Sequence, residues 1–395
     1  MKTRHKLVLM DAGSRESFRV AELNPESPGC GETAAGWSVK SYTLRGGLQE
    51  GVDVVEVDNG KLSFLVLPTR GMGIWKGRCG KLSLGWNSPV KDPVNPAFIN
   101  QQERGGLGWL KGFNEWFVRC GLNSMGPPGT DSVLDNNGNP LDTTLTLHGN
   151  IANSPARALT IEITDEGILL QGEVDESMMF GPALRLNTRI FTKFGSGSLI
   201  VDDTVSNIGD NPTEHQMLYH INYGPSLLEA GSRMLAPFKQ VAPRDPRSAE
   251  GIESFDRYGP PEVGFVEQAY YCELIGTGDR RQTMAMLCNA GGDQASVLRY
   301  SLDDFPCFTL WKNTAGKADG YVTGLEPATS YPNLRRFERQ KNRVLTLAGG
   351  ESRNTRLVIE NLDDKAAVDD VIAEIQKLQK TRKATVHPRP DKRFS

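Results

Sequence analysis

Short runs of alternating apolar and polar residues, each closed by a glycine or proline turn, fill most of this chain. The 42 glycines and 23 prolines leave little room for long helices. Leu184 to Phe191 alternates cleanly, which puts Leu184, Leu186 and Ile190 on one face of a strand. Ala158 to Ile163 and Ile168 to Val174 flank an Asp165-Glu166-Gly167 turn and read as a hairpin. Lys61 to Leu67 ends at Pro68, and Gly195 to Ser198 turns the chain into Leu199 to Val205. Later runs of the same kind are Ala269 to Ile275, Thr283 to Cys288, Ser296 to Ser301, Cys307 to Trp311, Tyr321 to Glu326, Arg343 to Leu347 and Asn354 to Glu360. Strands at regular turn spacing, with few helices between them, predict an all-β fold, a large antiparallel β-sandwich, and not a βαβ sheet.

Helical periodicity is strongest near the end. Val368, Val371, Ile372, Ile375 and Leu378 recur at helical spacing and predict a C-terminal helix over 366–381. A shorter helix is expected around Asn95 to Arg104. The stretch from Asn87 to Pro140 is rich in Gly, Pro and Asn and has little periodicity; irregular insertions of this length are often binding loops. No linker or internal repeat divides the chain. All-β chains commonly exceed about 200 residues as one unit, so 1–395 is read as one domain with a core from about 37 to 362. Residues 363–395 are read as helix and basic tail, and the basic cluster from Lys377 to Arg393 as a frayed terminus.

The formal charge of -3, from 45 basic and 48 acidic residues, gives no general pull on nucleic acid or a membrane surface. No apolar run approaches the ~20 residues of a membrane helix, and Leu7 to Met10 is too short for a signal peptide. The six cysteines have no C-x-x-C and no metal-like spacing with histidine, which reads as reduced, mostly buried thiols in a cytoplasmic protein. Gly71 to Gly77 imitates a dinucleotide fingerprint, but its spacing is one residue too long and no helix pattern follows; its glycines are expected to serve a tight turn.

Five histidines remain, and two of them sit in strand-like motifs. His148 ends the run Leu145 to Leu147 beside Gly149, where it is either a satisfied structural histidine or a ligand-binding group. His220 ends the run Gln216 to Tyr219, and Asn222 shares its face. Two polar side chains on one face amid apolar neighbours are expensive to bury unless they pair or face a cavity. His215 lies in the turn-like segment Asn211 to His215 and is expected at the surface. Glu326 closes an apolar run before Pro327 and is either salt-bridged or functional. Trp311 and Lys312 close the preceding strand; Trp311 is a platform for a sugar ring or a core residue. Arg70, just beyond Leu67, offers a fixed fork of donors for a hydroxyl or carboxylate.

Taken in order, these stretches resemble the aldose 1-epimerase (galactose mutarotase-like) superfamily, and more closely its bacterial branch of aldose 1-epimerase-like proteins. The resemblance runs from about Val54 to Leu362. It rests on Leu67 to Ile74, Gly85 to Pro89, Gly112 to Asn114, Cys120 to Leu122, Leu147 to Gly149, Thr204 to Asn207, Tyr219 to Gly224 and Leu325 to Pro327. It implies a mutarotase-like β-sandwich that interconverts sugar anomers by general acid/base catalysis, with a small sugar as partner and no cofactor or metal. By resemblance, Glu326 is the general base and His220, as imidazolium, the general acid. His148 hydrogen-bonds the sugar, and Arg70, Asn222, Trp311 and Lys312 complete the expected binding set. Gly105 to Gly129 departs from the galactose mutarotases and is expected to line a different pocket. Two alternatives remain on the same scaffold: a non-catalytic sugar-binding protein, or a lyase, hydrolase or epimerase at another carbon. The oligomeric state stays open, a homo-oligomer included.

Overall fold

The computed structural model describes residues 2–31 and 33–395. Its strands assemble mainly into two large, mostly antiparallel sheets. One has nine strands, running across the sheet as Thr3–Asp11, Ala158–Thr164, Gly167–Ser177, Ala183–Lys193, Ser198–Asn207, Ser352–Leu362, Ala295–Ser301, Gln282–Cys288 and Arg233–Leu235. The expected hairpin is there, with Ile163 opposite Ile168. In Ser198–Asn207 every second residue is buried, as one solvated face requires.

The other sheet has 14 strands, and its centre is Phe117–Leu122, Thr213–Tyr223, Tyr321–Ala328, Cys307–Thr314 and Gln268–Leu274 side by side. The large hydrophobic core lies between the two sheets, where Leu199, Val201 and Ile359 meet Met217, Tyr219 and Leu325. Polar ties cross this core as well. Arg119 bonds Asp203 through Nε (2.6 Å) and Nη2 (2.9 Å), and its other N–H groups reach Thr188 and the carbonyls of Gly71 and Met72. Tyr219 Oη donates to the same carboxylate at 2.7 Å. A fully satisfied buried pair of this kind is tolerated, whereas removing one partner would strand the other's charge.

Every residue of Phe117–Leu122 is buried, because the sandwich core covers one face and the irregular segments around residues 107–113 and 147–152 cover the other. A strand buried on both faces shows no alternation, so this central strand was hidden inside the insertion Asn87 to Pro140. The helix expected around Asn95 to Arg104 is two separate short turns, Pro96–Phe98 and Glu103–Gly106; Arg104 and Gly105 take φ of 53° and 73°, which a continuous helix cannot accommodate. At Gly71 (φ 58°) a Cβ would lie 2.2 Å from the Ile151 carbonyl oxygen, so this glycine does serve a tight, crowded turn, whereas Gly73 and Gly77 lie in the strand Gly73–Cys79 that follows.

The C-terminal helix forms over Lys365–Gln379, with Asp364 capping the Ala367 N–H at 3.0 Å. Its Val368, Val371 and Ile375 pack on Met284, Met286 and Val297, covering the outer face of the nine-stranded sheet. Beyond it the tail is docked, not frayed. Thr385–Val386 pairs with Gln240 and Val241 on the large sheet's edge, and Phe394 is 2% exposed, packed against Tyr331. His215 is likewise buried, its Nδ1 2.9 Å from the Leu122 carbonyl, because the strand begins at Thr213 and carries the histidine inward. All six cysteines are free and buried. Among the described residues, no helix is long and apolar enough to cross a membrane.

Candidate active site

Strand register builds the site. Thr213–Tyr223 and Tyr321–Ala328 are antiparallel neighbours, with Asn222 opposite Gly324 and Ile221 opposite Leu325, so His220 faces Glu326 across the ladder. On the other side of Tyr321–Ala328, Thr309 stands opposite Glu326 and Trp311 opposite Gly324. Side chains alternate across a strand, so His220, Glu326, Thr309 and Trp311 all project from the face turned away from the sandwich core. They form the floor of a cavity of about 300 Å³. Leu107, Trp109, Leu110, Phe113, Pro127 and Pro128 wall it, which places the divergent segment Gly105 to Gly129 at the pocket.

His220 Nε2 lies 3.2 Å from Glu326 Oε1. Gly324 makes this approach possible: a Cβ there would meet Glu326 Oε1 at 2.6 Å and His220 Cε1 at 2.9 Å. Asn222 fixes the ring from behind. Its Nδ2 donates to the carbonyls of Glu115 (3.0 Å) and His220 (3.3 Å), which leaves Oδ1 to accept from His220 Nδ1 at 2.6 Å. The proton therefore resides on Nδ1, and Nε2 points at Glu326 and the cavity. Phe113 and Trp311 flank the imidazole edge-on, with ring centroids 5.1 and 5.4 Å away. The oblique contact with His220 is not a formed hydrogen bond, and Glu326 Oε1 and Thr309 Oγ1 are buried without hydrogen-bond partners. Each such orphan costs on the order of 1–3 kcal/mol, which a ligand hydroxyl could recover.

His148 enters from a left-handed turn (φ 59°) and donates Nδ1–H to the Met125 carbonyl at 2.8 Å. Its ring meets Trp109 edge-on at 4.6 Å and His220 at 5.7 Å. Burial lowers His148 to about 4. Burial, then the neighbouring His148, pulls His220 down to about 3, against the bond to Asn222. Burial pushes the Glu326 carboxyl well above the carboxylate range; the Glu267 charge adds to this and Arg244 opposes it. Both shifts disfavour charge, so desolvation favours neutral imidazoles beside a protonated Glu326. The imidazolium that the resemblance implies for His220 is the form this burial disfavours.

The expected binding residues divide. His148 and Trp311 line the cavity with His220 and Glu326. Asn222 is fully buried and acts on His220. Arg70 does not reach the cavity: Nε bonds Glu115 at 2.7 Å, and its other nitrogens bond the carbonyls of Val94 and Gly112 and the Asn153 side chain. It braces the loop that carries Phe113 and Glu115. Lys312 follows Trp311 and so points through the opposite face, where Nζ donates to the carbonyls of Ser254 (3.1 Å) and Arg257 (2.6 Å). Sequence reasoning missed Trp109, Phe113, Thr309, Arg244 and Glu267. The first two lie in an insertion without periodicity; the last two flank strands where charge is ordinary. Larger clefts of about 730 and 680 Å³ lie away from His220. In the first, Lys239, Arg343 and Arg393 are already paired with Glu273, Glu338 and Asp391. In the second, backbone N–H groups of Leu122 and Asn123 hold Glu176. Among the described residues, no cluster of three or more His, Cys, Asp or Glu side chains is arranged to hold a metal ion.

Comparison with known proteins agrees with this architecture. A family model described as a domain of unknown function, DUF4432, matches residues 49–360. A crystal structure from Klebsiella pneumoniae, of a protein provisionally named an aldose 1-epimerase, is 33% identical over 97% of this chain and 98% of its own, with a TM-score of 0.89. More distant in sequence are a galactose mutarotase-like protein of Clostridium acetobutylicum (14% identity, 82% and 98% coverage, TM-score 0.56) and a provisionally named aldose 1-epimerase of Escherichia coli (13%, 79% and 99%, 0.52). Those two likenesses concern the fold alone. None of the curated proteins matches. The chain belongs to the DUF4432 family, and its fold is that of the galactose mutarotase-like proteins, as its ordered motifs implied.

Proposed function

We propose that this protein is an aldose 1-epimerase-type isomerase that opens and recloses the ring of a free sugar. The observation that carries the reading is the His220–Glu326 pair, with Nε2 3.2 Å from Oε1, facing an aromatic-walled cavity of about 300 Å³. That volume is at the small end of ligand pockets and suits a single sugar ring. Trp109, Phe113 and Trp311 offer apolar surface to the ring's C–H groups. From the neutral resting pair, His220 Nε2 takes the proton of the anomeric hydroxyl while Glu326 gives its own to the ring oxygen. The C1–O5 bond breaks and the aldehyde forms. After rotation about C1–C2 the protons return in the opposite sense, O5 attacks C1, and the pair is restored. An ionised pair would run the same cycle with the roles exchanged, which is the assignment the family resemblance implies. His148 Nε2, neutral and without the ring proton, accepts a hydrogen bond from a sugar hydroxyl.

Glycoside hydrolysis is the second reading, because Glu267 brings a second carboxylate to the cavity wall. It ranks lower: Arg244 and Trp311 engage both Glu267 oxygens, which ties this carboxylate to the wall. Anomer exchange followed by NMR or polarimetry over a panel of freshly dissolved sugars tests the proposal. Acceleration of at least one sugar is expected. His220→Ala and Glu326→Gln should each cost about 10²–10⁴-fold in rate while sugar binding persists. Full rate in both variants would refute the assignment, and binding without exchange in the wild type would leave a sugar-binding protein.

A further inference from the structure

Arg244 is the cation among the described residues that line the cavity, yet it is not free to receive an anion. Its Nε donates to Asp245 Oδ2 at 2.8 Å and its Nη2 to Glu267 Oε1 at 3.0 Å. The other Glu267 oxygen accepts the Trp311 indole N–H at 2.7 Å. Backbone structure fixes both ends of this bridge. The Arg244 N–H bonds the Ala269 carbonyl at 2.9 Å, and Asp245 accepts from the N–H and hydroxyl of Ser248. One guanidinium thus stands against two carboxylates, and the two pocket histidines are neutral near pH 7. Among the described lining residues no positive charge is left unpaired, and the guanidinium is already spent on side chains of the protein. A sugar carrying phosphate or carboxylate would have to displace Glu267 or sit beside it.

We infer that Glu267 is the specificity-determining residue of this cavity: by occupying Arg244 it excludes anionic sugars and restricts the site to uncharged ones. The inference rests on the reading of the cavity as a sugar site. It adds a role for a residue that touches neither member of the proton-transfer pair through a hydrogen bond. Trp311 gains from the same bridge, since Glu267 fixes the plane of the indole that faces His220.

Binding is the readout, by calorimetry or ligand-observed NMR, with galactose against galacturonate and galactose 6-phosphate, and the corresponding glucose series. Within each set the ring is shared and charge is the main difference. The wild type should bind the uncharged sugars preferentially. Glu267→Gln keeps the side-chain volume and an oxygen for Trp311 while releasing Arg244. It should shift the uronate-to-neutral affinity ratio on the order of tenfold toward the uronate, the discounted value of one unit charge at a half-exposed site. Adding Arg244→Gln should abolish that gain. An unchanged ratio in Glu267→Gln, or a wild type that binds uronates as tightly as neutral sugars, overturns the inference. Binding without anomer exchange would overturn the isomerase reading and leave this one standing; binding of no sugar at all would overturn both.

Discussion

At the scale of single residues, the chemistry depends on where one proton sits. A histidine in water titrates near 6.5, so a free His–Glu pair would change state in the middle of the physiological range. Here burial moves His220 down to about 3 and Glu326 well above its ordinary 4.5. The pair therefore gains a second proton only below the His220 value. It loses its single proton only above the raised Glu326 value. The expected pH–rate profile of anomer exchange is flat from pH 7 down to about pH 5, with no acid limb near 6.5. A limb centred near 6.5 would mean that His220 titrates as a solvated imidazole and that the dry-pocket argument fails. His148 behaves in the same way, which is why it is assigned as a hydrogen-bond acceptor and not as a second acid.

At the scale of elements, the tail shows how a segment that looks disordered acquires a place. Lys377 to Arg393 is rich in basic residues, and composition alone reads it as solvated. In the structure Thr385–Val386 adds a short parallel strand to Phe238–Pro243, and the last turn plugs Phe394 into the cluster of Ala242, Tyr271, Cys307 and Tyr331. Asn333 donates to the Phe394 carbonyl at 2.6 Å, and the adjacent Pro332 lines the cavity. The tail thus braces one wall of the site from outside. Phe394→Ala should lower the unfolding free energy by about 2 kcal/mol, the worth of burying one phenyl ring. Urea denaturation measures it; an unshifted midpoint would show that the tail is as loose as its composition suggests.

At the scale of the whole molecule, the sandwich keeps three histidines away from water. His148 and His215 are lowered to about 4 and His220 to about 3, each chiefly by burial. The unfolded chain holds these groups near 6.5, so between 6.5 and about 4 it binds more protons than the folded one. Stability from neutral burial is complete above 6.5 and is lost as pH falls through that window. Glu326 works oppositely, since its folded value is raised: its contribution is greatest below 4.5 and fades as pH rises. From pH 6.5 to 5.5 the three histidines outweigh Glu326, because up to three unfolded imidazoles take up protons there against the one that the folded carboxyl already holds. The unfolding free energy should fall by about 1–2 kcal/mol over that unit, at about 1.4 kcal/mol per pH unit for each net proton taken up. Urea midpoints at pH 6.5, 6.0 and 5.5 check this, and a flat or rising series would sink it.

Much of this molecule could be read from its residues in order. Leu184 to Phe191 and Leu199 to Val205 announce strands because one face of their sheet is wet, and alternation is a local signal. Val368, Val371 and Ile375 announce a helix for the same reason at another period. His220, Asn222 and Glu326 stood out as polar groups that would be costly to bury unpaired, and strand periodicity alone put His220 and Asn222 on one face. What the chain order could not supply was contact across the sheet. Phe117–Leu122 lacks alternation because it is covered on both sides, so the strand that joins the two halves of the large sheet went unseen. Arg70 and Lys312 have the donors a sugar site wants, but Glu115 claims the first from 45 residues away and strand parity turns the second to the opposite, buried face of the sheet. Glu267 has no local mark at all; its role comes from Arg244 and Trp311, which arrive 23 residues before it and 44 after it in the chain. Local pattern depends on near neighbours and the water beside them, so the sequence by itself determined the class of fold and marked His220 and Glu326 as polar groups out of place. The walls of the pocket, its charge and the protonation of that pair are set by groups distant in sequence and by the exclusion of water, and only the tertiary structure decided those.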